Sequence, residues 1–346
     1  MTPINAPLEY DTIDGVLAPS QTQVFYGHKT ILSSVEQMRE EGKLHHALLF
    51  EGDKGVGKAT FAFRLIWNIL TEQKGALKDP DHTSLDWRLI VQKSHPRVIH
   101  VSRPYDAKTE RFRSMITVDE IRNVMHFLAQ TSSDGGWRIV LVDSADDMNR
   151  NASNALLKTL EEPPSKVLFI LISHYSGRLL PTIRSRCQSH IFHPLQDEDL
   201  EKALKEATNS SFMPASADAS YIIKNAEGSV RQAALLINYG GLEITRSIDE
   251  ILKSASIDTQ KVHQLAQVLS ARDATIQYQH FCDNYLHRIA TLAKMKALEN
   301  KQEQSSFYAK MWQNISIEMS EANSYNLDKK QFIITLINRL HKALYP

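Results

Sequence analysis

Cysteine is almost missing. Two residues, Cys187 and Cys282, are all the thiols in a chain of 346. One disulfide at most is possible, so a small scaffold braced by several bridges is excluded. Net charge of one sign is also missing, since 40 basic residues meet 40 acidic ones. No global field therefore draws the protein to nucleic acid or to a membrane surface, and any such contact needs a local patch or a partner. No stretch approaches the roughly 18 consecutive apolar residues of a membrane span. The start, MTPINAPLEYDTIDG, is acidic and lacks the apolar core of a secretion signal. These absences predict a soluble protein of a reducing, cytoplasmic setting, with no membrane partner.

What is present is a hydrophobic share of 42%, enough for real cores and, at this length, for two or three domains. Residues 1 to about 22 read as an arm or loop. KTILSSVEQMREEG predicts a helix with Ile31, Val35 and Met38 on one face. HALLF (46–50) is a short apolar run that fits a buried strand. ATFAFRLIWNIL follows at helical spacing. Further strands are expected at 97–101, 135–143, 167–173 and 188–195, separated by helical stretches such as TVDEIRNVMHFL and NASNALLKTLEEPP. Strands alternating with helices predict an α/β domain with a mainly parallel sheet, covered on both faces because VLFILIS shows no polar alternation. After Pro194 strand signals nearly vanish. NAEGSVRQAALLINYGG reads as one helix closed by Gly240 and Gly241, LENKQEQSS (298–306) as a loop, and everything from Arg246 onward as helix. The expected domains are an α/β unit at 1–195, a small helical lid at 196–245 and an all-α bundle at 246–346. No internal repeat is found.

The stretch EGDKGVGKATF carries the first chemistry. Strand, glycine-rich turn and helix come in the order that points loop N–H groups and a helix N-terminus at one anion. Gly52, Gly55, Gly57 and Lys58 fit a phosphate-binding loop, with the lysine reaching phosphate oxygens. The next residue, which normally brings a hydroxyl to Mg²⁺, is Ala59. Thr60 stands one residue late, rotated by about 100° on a helix, and is expected to point elsewhere. The apolar run RIVLVD ends on Asp143, where a second Mg²⁺ contact is expected. A glutamate often follows to polarise the attacking water, but here Ser144 follows, and serine is no carboxylate base. Asp146 and Asp147 read as acids that open a helix against its dipole. Two catalytic elements are thus lost together, which predicts a kept scaffold without turnover. In LLPTIRSRCQ, Arg184 and Arg186 would face one side if that segment were extended.

LHHALLFEGDKGVGKATFAFRL, VDSADDMNRNASNALLKTLEEPP and LLPTIRSRCQ, in that order, resemble the clamp-loader branch of the AAA+ ATPases. NALLKTLEEPP and the Ser-Arg-Cys triplet are specific to that branch; the glycine loop alone is not. Within it, the missing hydroxyl and Ser144 resemble a member that does not hydrolyse ATP. The resemblance implies an AAA+ P-loop domain, a lid and a collar-forming bundle. It implies that Ser185, Arg186 and Cys187 present Arg186 as an arginine finger to a neighbouring subunit's ATP site, with Cys187 as packing. His174 stands at the position of a γ-phosphate sensor, and Arg231 at that of the second sensor arginine on the lid. The implied partners are the gamma, tau and delta subunits and, through the assembly, the sliding clamp and primer-template DNA. ATP binding at Gly52, Gly55, Gly57, Lys58, Ala59, Thr60, Asp143 and Arg231 is expected to be degenerate or weak. Relatives often carry a four-cysteine zinc module between the glycine loop and the acidic strand. This chain has no cysteine before Cys187, and His82, His95 and His100 lack ligand spacing, so zinc is expected to be absent. An active motor, or another P-loop NTPase or kinase, is the alternative. A kinase would need a phosphate-acceptor site, and the helical C-terminal part offers none.

Overall fold

The computed structural model describes residues 6–129, 135–209, 216–325 and 327–345. The chain divides into two compact units, residues 1–234 and 235–346. In the first unit the order is α1 (Lys29–Glu40), β1 (Ala47–Glu51), α2 (Lys58–Leu70), α3 (Leu85–Val91) and β2 (Val98–Val101). The short strands β3 (Tyr105–Asp106) and β4 (Arg111–Phe112) follow, then α4 (Val118–Ala129), β5 (Arg138–Asp143), α5 (Arg150–Glu161) and β6 (Val167–Ser173). The unit closes with α6 (Pro181–Arg184), β7 (Gln188–Ile191), α7 (Asp197–Ala207), α8 (Ser216–Asn225) and the start of α9 (Val230–Ile237).

Five strands form one parallel sheet in the order β2-β5-β6-β1-β7. The glycine-loop strand β1 lies between β6 and β7, with Leu49 opposite Leu171 and Ser189. Every residue of β1 and β6 is buried. Because side chains alternate along a strand, one apolar run feeds two cores. Leu48, Phe50, Ile139, Leu141, Ile170 and Ile172 pack with Phe61, Leu65 and Ile66 of α2. Leu49, Val140, Val142, Phe169 and Leu171 pack on the other face with Ile121 and Val124 of α4 and Leu156 and Leu160 of α5. The continuous apolar strands of the sequence are continuous for this reason. Order, parallel pairing and the loop after β1 are those of an AAA+ P-loop domain.

The capping signals act locally as expected. Glu120 accepts from the N–H and hydroxyl of Thr117 (2.7 and 2.6 Å), opening α4. Asn149 accepts from the Ala152 N–H (2.9 Å), opening α5. The expected single helix over 225–241 is instead split. Gly228 turns at φ 73°, packed so closely that a Cβ there would lie 2.5 Å from the Leu195 nitrogen. Helix α9 is correspondingly short, and Gly241 opens the next helix rather than closing this one. Helix α3 and the β3–β4 hairpin carry no clear periodicity and are not foreseen.

The second unit is helical: α10 (Gly241–Lys253), α11 (Thr259–Leu269), α12 (Thr275–Leu298), α13 (Gln302–Ser324) and α14 (Lys329–Leu344). The loop expected at 298–306 shrinks to a turn at 299–301, because helix α13 already begins at Gln302. Phe281, Tyr285, Ile289, Ile315, Leu336, Ile337 and Leu340 form the centre. The Tyr285 hydroxyl donates to the Leu336 carbonyl at 2.6 Å. Of three aromatics on α13, Tyr308 is buried and donates to the Ala343 carbonyl (3.0 Å), Trp312 packs at the core edge, and Phe307 is 55% exposed. Among the described residues no helix is long and apolar enough to cross a membrane.

Candidate functional site

The glycine loop closes the end of β1 and opens α2. Gly52, Gly55 and Gly57 have φ of 142°, 78° and 104°, a region that disfavours a side chain. Space forbids one as well. A Cβ on Gly52 would lie 2.2 Å from the Phe192 carbonyl oxygen, and one on Gly55 would lie 2.5 Å from both the Arg231 Cβ and the Ser229 Oγ. Ser229 donates to the Lys54 carbonyl (2.7 Å), and the Val230 N–H to the Gly55 carbonyl (2.9 Å). The start of α9, and Arg231 with it, is thereby fastened to the loop.

A cleft of about 180 Å³ runs over this loop, lined among others by Lys58, Ala59, Thr60, Asp143, His174 and Arg231. These sequence-predicted residues are therefore brought together. Thr60, expected to point elsewhere, borders the cleft too. The cleft continues along the first turn of α2 toward Phe25, which lies 3.2 Å from a Cβ built on Gly57.

Lys58 is buried, and its ammonium donates to the carbonyls of Gly52 and Asp53, each at 2.5 Å. Burial pushes its pKa down to about 8, against the opposing pull of Asp143, Asp146 and Asp53. Asp143, at the end of β5, keeps 24% of its side chain open. Loss of water raises its carboxyl to about 7; Asp11 and Asp147 push the same way, while Lys58 and Lys93 oppose. Near neutral pH this group is therefore a poorer metal ligand than an ordinary aspartate. His174 places Nε2 3.9 Å from the Asp143 carboxylate. Its Nδ1 is buried without a partner. Burial first, then the charges of Lys58, Lys54, Arg231 and Arg103, holds its pKa well below the usual value, so the ring is neutral.

Asp146 and Asp147 do more than begin a helical turn. Asp146 accepts from the Ser173 hydroxyl (2.5 Å) and from the N–H groups of His174 and Tyr175 (2.6 and 3.2 Å). It ties the end of β6, and so His174, to the Asp143 loop. Asp147 accepts from Nε and Nη2 of Arg103 (2.8 and 2.5 Å), and that guanidinium lies 4.3 Å over the Tyr10 ring. No local spacing announces either partnership.

The N-terminal segment read as an arm or loop takes a position that the sequence did not indicate. Residues 1–5 lie outside the described ones. From there the arm crosses the cleft: Asp11, Ile13, Val16, Leu17, Phe25 and Tyr26 line it. The Leu17 N–H donates to the Ala207 carbonyl (2.7 Å). The Arg231 guanidinium donates to the Asp11 carbonyl, with the Asp11 carboxylate 3.8 Å away. Ile13 of the arm is only 5% exposed.

Arg186 lies elsewhere, outside the residues that line the cleft. The segment before β7 is not extended, because Pro181–Arg184 forms the short helix α6 and Ser185 continues in helical conformation. Arg184 and Arg186 consequently do not share the face an extended strand would give them. The Arg186 guanidinium meets Glu161 at 2.6 Å, the Thr182 carbonyl at 2.9 Å and the Ser185 hydroxyl at 3.4 Å. Cys187 is half-buried and unpaired, its thiol pushed up to about 12 by burial and then by Glu51, so it is inert. Among the described residues no group of His, Cys, Asp and Glu converges as a metal site.

Fold and cleft thus define a P-loop protein of the AAA+ class. Residues 27–196 match the family model described as DNA polymerase III, delta subunit. The chain is 32% identical over 235 residues to the DNA polymerase III subunit gamma of Buchnera aphidicola, covering 67% of this chain and 61% of that one. It is 38% identical over 142 residues to the subunit delta' of Pseudomonas aeruginosa, covering 41% of each. To the delta' of Bacillus subtilis it is 30% identical over 233 residues, covering 67% of this chain and 62% of that one. The family match and these relatives support a clamp-loader family member among DNA polymerase III subunits. It spans less than two thirds of the length of these relatives. Its likeness to a solved gamma-subunit-related protein of Thermotoga maritima is loose: 16% identity and a TM-score of 0.41, over 90% of this chain and 99% of that one.

Proposed function

We propose that this protein is a delta prime subunit: a clamp-loader member that does not hydrolyse ATP and lends Arg186 to the ATP site of a neighbouring subunit. The observation that carries this reading is Ala59 in the cleft, with Ser144 directly after the cleft residue Asp143, while the loop and Lys58 are intact. The metal-binding hydroxyl and the water-polarising carboxylate are both gone, so neither Mg²⁺ nor the attacking water is placed. Lys58 and the loop N–H groups still suit phosphate, so nucleotide binding is weak rather than lost. Zinc has no part in this reading. Arg186 supports the second half. It stands outside its own cleft, on a turn held by three contacts, and a guanidinium keeps its charge and a planar fork for phosphate oxygens. Gamma or tau and delta are the partners, with the sliding clamp and primer-template DNA reached through the assembly, in the cytoplasm.

A second reading, an ATP-hydrolysing motor, stays open because gamma and delta' subunits align over nearly equal lengths, 235 and 233 residues. Hydrolysis by the purified chain separates the two. The expected rate is no higher than that of Lys58→Ala, and turnover that depends on Lys58 would decide for the motor. The double substitution Ala59→Thr with Ser144→Glu tests whether the remaining scaffold supports turnover once both groups return.

A further inference from the structure

Glu161 sits where helix energetics argue against it. It is the last residue of α5, and Glu162 follows it as the C-cap. The end of a helix carries partial negative charge, so an acid there is disfavoured. Pro163 and Pro164 stop the helix and hold this end in one place. Helix stability thus gives no reason for a carboxylate at this point. A reason appears across the surface, where the Glu161 Oε1 accepts from the Arg186 Nη2 at 2.6 Å. The neighbouring Nη1 donates to the Thr182 carbonyl at 2.9 Å and lies 3.4 Å from the Ser185 hydroxyl. One end of the guanidinium is fixed by a charge-assisted bond to α5, the other by Thr182 within α6 and Ser185 at its end. A planar group pinned at both amino ends has its plane set. Arginine otherwise loses much rotamer freedom when it must meet a target in one geometry.

We infer that Glu161 is a positioning residue that presets the Arg186 guanidinium for an anionic phosphate supplied by a neighbouring subunit. The inference rests on the finger role proposed for Arg186. Glu161 does not touch the phosphate. It acts by holding the fork at the turn, with its orientation set before the neighbour arrives. At 49% exposed, Glu161 keeps its partner screened by water, so the contribution is modest and depends on salt.

The test uses the reconstituted loader with the full chain, reading ATP hydrolysis stimulated by clamp and primed DNA. Glu161→Ala is expected to lower turnover at the one site Arg186 serves by about 2- to 5-fold, the range of an exposed but well-formed ion pair, so total hydrolysis falls by less than it does for Arg186→Ala. KM for ATP should stay unchanged, since the neighbour's own loop binds the nucleotide. Glu161→Gln keeps an acceptor and should recover part of the loss. The deficit should narrow as ionic strength rises. In an Arg186→Ala background, Glu161→Ala should add nothing, because it works only through that guanidinium. Glu162→Gln is the control and should match the parent. A Glu161→Ala rate equal to or above the parent, or an equal further loss in the Arg186→Ala background, would overturn the inference. If Arg186→Ala itself has no effect, the finger reading falls first, and the two failures are told apart.

Discussion

Asp143→Asn should stabilise this protein, and only where Asp143 is charged. The carboxyl titrates near 7 in the folded protein and near 3.9 in an unfolded chain. The folded state therefore binds more protons than the unfolded one between those values, and stability falls as pH rises through that window. Above about pH 7 the full cost of a charged Asp143 is present; below about pH 4 it is gone. A shift of roughly three pKa units corresponds to about 4 kcal/mol at about 1.36 kcal/mol each. The observed gain should be smaller, for two reasons. A 24% opening to the cleft admits water that screens the charge, and Lys58 loses a favourable partner. A gain of about 1–3 kcal/mol at pH 8 is expected, falling by more than half at pH 5. Urea unfolding of the full chain beside Asp143→Asn, at both pH values and followed by a probe in the α/β unit, measures it. A gain of equal size at pH 5 and pH 8, or a loss at pH 8, would refute the reasoning.

Two further perturbations follow from the same geometry. Gly55→Ala must place a Cβ 2.5 Å from Arg231 and Ser229 at a φ of 78°, so it should cost about 2–4 kcal/mol by strain and overpacking, read as a lowered denaturation midpoint. The helical bundle at 246–346 should be the main assembly element, with exposed Phe307 among its anchors. Residues 1–245 should then fail to co-elute with gamma or tau and delta, whereas the full chain does; normal co-elution of the truncation would defeat the idea.

The sequence was most legible where one interaction fixes many residues. The run VLFILIS matches β6 residue for residue, because a strand buried on both faces tolerates no polar break. The loop glycines were legible because their φ and their tight contacts admit no side chain. Thr117 and Glu120 announced α4 through a contact three residues apart. Failures came where the partner lies far along the chain. Asp146 holds His174 across 28 residues, and Arg231 meets Asp11 across 220. The helix expected over 225–241 broke because Gly228 answers to Leu195, not to its helical neighbours. The arm shows little periodicity, since an irregular segment that lines a cleft has no repeating face to display. Arg184 and Arg186 do not share a face, because Pro181, placed at a first helical position, starts a short helix where an extended segment would have aligned them.

Under the proposed function, this protein completes a catalytic site it does not own. The most direct measurement is ATP hydrolysis by the reconstituted loader, stimulated by clamp and primed DNA, with Arg186→Ala beside Arg184→Ala. An arginine finger contributes roughly 10³- to 10⁵-fold at the site it serves. Total hydrolysis should therefore fall by the share of that one site, assembly should be unaffected, and Arg186→Lys should recover only part, since an ammonium lacks the planar fork. Arg184→Ala should match the parent. Equal rates for the parent and Arg186→Ala would contradict the account, and equal losses for the two alanine variants would reduce Arg186 to one charge of a basic edge.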